Sequence, residues 1–269
     1  MNTRKTLALI TLTSLINMPF SVTLADSEFA RKIMEDVHAR NDGESMSSIL
    51  KMTLIDKRGD QRTKTIQSFR LDLEKDTRAM MFFISPADVA GTGFMTYDYD
   101  SPHKKDDQWL YLPALNKTKR IAAADKSGSF MGSDFNFSDM GKANLDDYDF
   151  SLKKEVEVRD KKVWLIEALP RSTEIIDETG YSKTLLFVQQ DNHMVIRAVK
   201  WVSGGSRIKY MDVPKVELLN GIWTIKRITM TTKHGNKTEH QTVIDFSDIK
   251  YNQRMDKDKF TIRNLEKGV

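Results

Sequence analysis

Cysteine is absent from all 269 residues. That removes disulfides, thiolate chemistry and any cysteine that could carry a lipid anchor. Beyond residue 25 no stretch approaches the roughly 18–20 consecutive apolar residues that a helix needs to cross a bilayer. Phosphate loops are missing too: Gly91-Thr92-Gly93 lacks the third glycine of a dinucleotide motif. The glycines at 128 and 132 are not followed by the lysine and hydroxyl residue of a P-loop. Charge of one sign is also lacking. The formal net charge is +4, of which Arg4 and Lys5 account for two units, and the rest is spread evenly, which speaks against a nucleic-acid partner.

Catalytic and metal-binding patterns are equally scarce. The histidines, His38, His103, His193, His234 and His240, show neither zinc nor metalloprotease spacing, so no metal site is expected. Asp98, Asp100, Asp106 and Asp107, and again Asp146, Asp147 and Asp149, lack the EF-hand order and read as solvated loops. Ser127, Ser129 and Ser133 lack a nucleophile elbow, and nothing selects a carboxylate pair for glycoside cleavage. The expectation is a protein that is not an enzyme and holds no cofactor.

What is present begins with a leader. Arg4 and Lys5 precede an interrupted apolar run ending near Phe20, and Thr23-Leu24-Ala25 supplies small residues at the cleavage positions. Residues 1–25 are expected to be a signal peptide cut after Ala25, with residues 26–269 forming one domain exported to a periplasm.

The mature chain opens with one helix and continues in strands. Over 27–39, Phe29, Ile33 and Val37 share a helical face, with Glu28 and Arg40 placed to suit the helix dipole. From residue 46 the period changes to two. Leu50, Met52 and Leu54 point one way, 57–60 makes a turn, and 65–73 returns with Phe69, Leu71 and Leu73 on one face. Residues 78–84 are apolar on both faces, so both must be covered. A short helix is expected within 134–145. Strands follow at 148–158, 161–169, 182–190, 194–202, 207–213, 222–232 and 238–246, joined by turns rich in glycine and asparagine. The pattern predicts a mainly β (α+β) fold, an antiparallel meander of ten or eleven strands.

The organising stretch is 79–137, where apolar runs at 79–84, 94–99 and 109–112 alternate with turns. It carries more greasy surface than one half-buried sheet face requires. A curved sheet lined this way needs a lid, a second layer or an apolar guest, because removing such surface from water yields about 25 cal/mol per Å². Methionine suits a guest of variable shape. Candidate cavity residues for lipid binding are Met52, Leu54, Phe69, Leu71, Met81, Phe83, Trp109, Tyr111, Phe187, Trp201 and Met230. Each taken alone reads as core; the expectation concerns the cavity as a whole.

Three blocks then carry a family resemblance: residues 83–94 (FISPADVAGTGF), 107–115 (DQWLYLPAL) and 126–135 (KSGSFMGSDF), with FTIRNL at 260–265. Together they resemble the LolA-like outer-membrane lipoprotein-sorting proteins, in the larger branch often found beside RND-type exporters. The resemblance implies an incomplete antiparallel β-barrel of about eleven strands whose hollow is closed by helices and holds acyl chains of a lipid or lipoprotein. It implies a monomeric periplasmic carrier serving the outer membrane or an RND-type transporter; the alternative is an adaptor that regulates the exporter without cargo. The loops 85–92 and 127–134 would then be partner-binding or gating elements, with Pro86, Asp88, Gly91, Gly128, Phe130, Met131 and Asp134 as candidates.

Overall fold

Among the described residues thirteen strands form a single antiparallel sheet, two more than the expected eleven. The computed structural model describes residues 27–268 except 75, 102 and 103; the expected leader and its cleavage point, like His103, lie outside the described residues. In chain order the elements are α1 (Glu28–His38), β1 (Ser45–Asp56), β2 (Gln61–Asp72), β3 (Asp76–Ser85), β4 (Gly93–Tyr99), β5 (Asp107–Leu112) and β6 (Lys117–Arg120). Then come β7 (Tyr148–Val158), β8 (Lys161–Pro170), α2 (Thr173–Thr179), β9 (Tyr181–Gln189), β10 (Val195–Val202), β11 (Arg207–Leu219), β12 (Ile222–His234), β13 (Lys237–Tyr251) and α3 (Ile262–Lys267).

Every strand pairs with its sequence neighbour except at one place. Strand β13 pairs with β1, so the sheet's free edges are β6 and β7, which are consecutive in the chain. The meander is therefore opened in its middle. The connection between these edges, residues 121–147, contains no strand and no α-helix, only short 3-10 turns such as Phe137–Met140 and Leu145–Asp147. The short helix expected within 134–145 is a single 3-10 turn, Phe137–Met140, which extended Gly141 ends.

Curvature follows from the packing. Leu50, Met52 and Leu54 of β1, Ile66 of β2, Phe83 of β3 and Phe94 of β4 belong to one buried cluster with Met230 of β12 and Ile244 of β13. Strands β4 and β12 are five steps apart, about 24 Å in a flat sheet at 4.8 Å per strand. They share a cluster because the sheet curls and the connection 121–147 fills the hollow, placing Phe130 and Phe135 between them.

The opposite face of β2–β5 has its own cover. Phe69, Leu71, Met80, Phe82, Met95 and Tyr111 pack against Phe260 and Leu265 of the C-terminal segment. This accounts for the doubly apolar strand: alternation sends Met81 and Phe83 of β3 to the hollow, Met80 and Phe82 to the C-terminal cover. At Gly93 a side chain would have its Cβ 2.7 Å from Leu265 Cδ1, so the absence of one lets α3 sit down on β4. Helix α1 begins where the sequence placed it, capped by Ser27, and buries Ala30, Ile33 and Met34 against Phe150, Ile166 and Val188 at the β7–β9 end.

Candidate functional site

The candidate site is the hollow and the plug that occupies it. Its apolar floor is built by alternation on the inward faces of β1–β4 and β11–β13, and its filling is aromatic. The Phe130 ring lies 5.0 Å from that of Phe94, 5.5 Å from Phe137 and 6.2 Å from Phe83. Phe130 is fully buried and Phe135 nearly so. Such edge-on and tilted arrangements suit the quadrupoles of the rings.

Polar side chains seat the plug at two points. At the first, Asp134 is enclosed by β12 and β13. Thr232 Oγ1 donates to its Oδ1 at 2.5 Å, and Thr242 Oγ1 and His240 Nδ1 donate to its Oδ2 at 2.7 Å each. Lys209 Nζ donates to the Asp134 carbonyl at 2.6 Å and to Asn136 Oδ1 at 2.7 Å. Burial lowers the Lys209 ammonium below the usual lysine range, against the pull of Asp139 and Asp134.

At the second point Asp139 accepts from Lys200 Nζ at 2.5 Å, the Tyr181 hydroxyl at 2.7 Å and the Asn136 N–H at 2.8 Å. Burial alone would raise this carboxyl, but Lys200, the Asn136 N–H and the Tyr181 hydroxyl together outweigh it and the net shift is downward. Tyr181 is pushed up by burial and by Asp139.

The plug has a mouth at each end. At the tip, Met131 takes a positive φ of 51° and its carbonyl accepts from Lys64 Nζ at 2.5 Å. A cavity of about 700 Å³ opens here, lined by Pro86, Asp88 and Val89 from one loop, Met131 and Gly132 from the plug, and Arg58, Arg62 and His240 from the strands. The far end is a polar cavity of about 460 Å³ between the β4–β5 hairpin and residues 138–148. Asp98, read from the sequence as part of a solvated loop, is buried there.

The sequence-derived residues divide among several places. Met52, Leu54, Met81, Phe83 and Met230 face the hollow. Phe69, Leu71, Trp109 and Tyr111 lie on the opposite face, beneath the C-terminal segment. Phe187 packs with Val158, Val163, Met194 and Ile196 in a separate cluster. Trp201 is half-buried with Lys183 Nζ 4.1 Å above its ring. The loops 85–92 and 127–134, far apart in sequence, meet at the tip through Pro86, Asp88 and Met131, whereas Phe130 and Asp134 are inside the plug. Gly91 closes its turn by donating to the Phe83 carbonyl at 2.9 Å, and Gly128 donates to that of Asp125 at 3.0 Å.

Sequence reasoning passed over Lys200, Lys209, Thr232, His240 and Thr242. A signal was available in the alternation: Lys209 shares the face of Met211, and His240 and Thr242 share that of Ile244. Polar side chains at inward strand positions demand a buried partner.

A family model described only as an uncharacterized protein matches residues 75–267. The chain belongs to that family. The match takes in the whole plug and the C-terminal cover. Among curated proteins nothing matches. Among solved structures, an outer membrane lipoprotein-sorting protein domain from Vibrio parahaemolyticus is similar at 24% identity and TM-score 0.80, over 89% of this chain and 99% of that one. A DUF1329 family protein from Desulfovibrio piger is similar at 24% identity and TM-score 0.80, over 90% and 99%. A LolA superfamily protein from Nitrosomonas europaea is similar at 19% identity and TM-score 0.65, over 87% and 98%. The LolA-like resemblance read from the sequence blocks thus holds at the level of the fold, and this family member has the open, curled sheet of that group.

Proposed function

We propose that the protein is a non-enzymatic periplasmic carrier of acyl chains from a lipid or lipoprotein, in its closed state, with residues 121–147 acting as a lid that exchanges places with the cargo's tail. One observation carries the reading: the apolar floor of the hollow is covered by a connection without strand or α-helix, seated through dissociable polar side chains rather than woven into the sheet. Similarity to a lipoprotein-sorting domain and a LolA superfamily protein supports it.

The energies permit such an exchange. Withdrawing Phe130, Phe135 and Phe137 costs about 5–9 kcal/mol at 1.5–3 kcal/mol per side chain. An incoming chain of about twelve methylenes returns about 10 kcal/mol at 0.8 kcal/mol each. The swap is close to balanced, as a carrier that must both load and release requires. Protein purified from its own periplasm should carry lipid detectable by native mass spectrometry, and emptied protein should take up a fluorescent fatty acid. Protein that is repeatedly empty and takes up no probe contradicts the reading.

A second reading, an adaptor that docks an RND-type transporter without cargo, is favoured by the meeting of loops 85–92 and 127–134 around one polar mouth. Under it, changes at Asp88 or Met131 abolish co-purification with the transporter while probe uptake is absent in every variant.

A further inference from the structure

The polar end of the hollow holds a group of oxygens that the carrier reading does not use. On the inward face of β4, Thr96 and Asp98 follow Phe94; on the neighbouring strand Gln108 pairs with Thr96, and Asp106 comes next along the same side. Thr96 is 1% exposed, Gln108 2% and Asp98 9%. Thr96 Oγ1, Asp98 Oδ1 and Gln108 Oε1 are all buried without a hydrogen-bond partner among the described residues. Leaving one such atom unsatisfied costs about 1–3 kcal/mol, and here three stand at adjacent positions.

The amide orientation of Gln108 is set by the plug. Its Nε2 donates to the Phe137 carbonyl at 3.0 Å, so turning it over would set two carbonyl oxygens against each other and still orphan a buried acceptor. The carboxylates converge: Asp98 Oδ1 lies 2.7 Å and Asp106 Oδ2 3.8 Å from the point a Cβ on Gly141 would occupy, so a side chain there would push the Asp98 carboxylate aside. Asp98, Asp106, Gln108 and Gly141 all line the 460 Å³ cavity.

We infer that Asp98, Asp106 and Gln108, backed by Thr96, form a site for a small hard divalent cation of the calcium type, held between the β4–β5 hairpin and residues 138–142 of the plug. All the donors are oxygen, two of them charged, and calcium takes six to eight oxygens including amide carbonyls and water. The cavity supplies room for the water. No three His, Cys, Asp or Glu side chains group here among the described residues, because two of the four donors are neutral. Among the described residues five lysines line the cavity: Lys104 lies over the Tyr99 ring, Lys105 pairs with Glu174 and Glu178, and Lys200 pairs with Asp139. Lys126 Nζ is held by Glu178 at 2.6 Å, and the interaction of Lys142 with Asp98 includes its backbone N–H. None of this depends on the carrier reading.

The test is calorimetric titration of the chelator-treated mature protein with CaCl₂ and with MgCl₂, alongside thermal unfolding. One calcium ion should bind per chain, and Tm should rise by about 5 °C or more at a hundredfold excess over Kd. Asp98→Asn and Gln108→Leu should each weaken binding at least about tenfold, while Asp100→Asn on the exposed rim should not. Asp98→Asn should fold without the ion and be at least as stable as the ion-free parent, since it sheds a buried carboxylate. Absence of heat and of a Tm shift with either ion overturns the inference. So does a calcium response unchanged in Asp98→Asn, binding of spermidine in calcium's place, or a crystal grown in calcium with only water among these oxygens.

Discussion

Strands β2–β5 are covered twice, and the two covers are built differently. On the outer face the C-terminal segment presses Phe260 and Leu265, both fully buried, onto Met80, Phe82 and Met95. The Tyr97 hydroxyl donates to the Phe260 carbonyl, and the two cations at this face stack on rings, Arg78 4.5 Å over Tyr97 and Lys259 3.2 Å over Phe69. On the inner face the plug also brings aromatic rings, but Asp134, Asp139 and Lys209 are buried with it. Replacing such ion pairs by apolar residues is often neutral or stabilising, so their presence argues for a seat with defined registry rather than for extra stability. One cover is core; the other is a latch.

The contrast can be broken from either side. Phe260→Ala should cost about 3–5 kcal/mol of global stability, read as a fall in the denaturant midpoint, and should leave the rate of fatty-acid uptake unchanged. A faster uptake in that variant would mean that the outer cover is also a gate.

Asp134→Ala strands the donors of Thr232, Thr242 and His240 and should cost about 3 kcal/mol. The loss should appear locally, as faster amide exchange across 121–147 and faster probe uptake, with a smaller fall in Tm than Phe260→Ala causes. If the whole sheet melts with the plug, the latch is core after all.

The smallest effect concerns pH. Asp98 ionises near 3.8 when unfolded and about 7 when folded. Between those values the folded state holds the extra proton, and stability falls as pH rises across the window. Asp139 is shifted downward, so its contribution is lost only as pH falls below the ordinary carboxylate range. In chelator-treated protein Asp98→Asn should therefore gain on the parent in Tm as pH goes from 4 to 8. A constant difference would show that Asp98 titrates normally.

Much of this design was legible in the chain. The spacing of Phe29, Ile33 and Val37 located α1, alternation located most strands, and the doubly apolar run at 78–84 announced two covers before either was known. The point where the sheet opens was not legible, because hairpin turns report neighbour pairing but not the β1–β13 closure. Lys117–Arg120 and Ile262–Lys267 are too short and too polar to register as elements. The faces of the first hairpin were also ambiguous: Phe69 and Leu71 share a side, yet Leu50 faces Ile66 across the pair, which puts them opposite Met52 and Leu54. Latch residues such as Lys209 and Asp134 lie 75 positions apart, a distance no local pattern spans.

Amide hydrogen exchange of residues 26–269, with and without a sixteen-carbon fatty acid, tests the proposed lid most directly. Phe130, Phe137 and Ser138 donate backbone bonds within the plug to the carbonyls of Phe135, Gly128 and Lys126. These amides should lose protection when the fatty acid binds, while Leu265, which donates to the Thr261 carbonyl, keeps its own. Plug amides as protected as the central strands, unchanged by the fatty acid, would contradict the account.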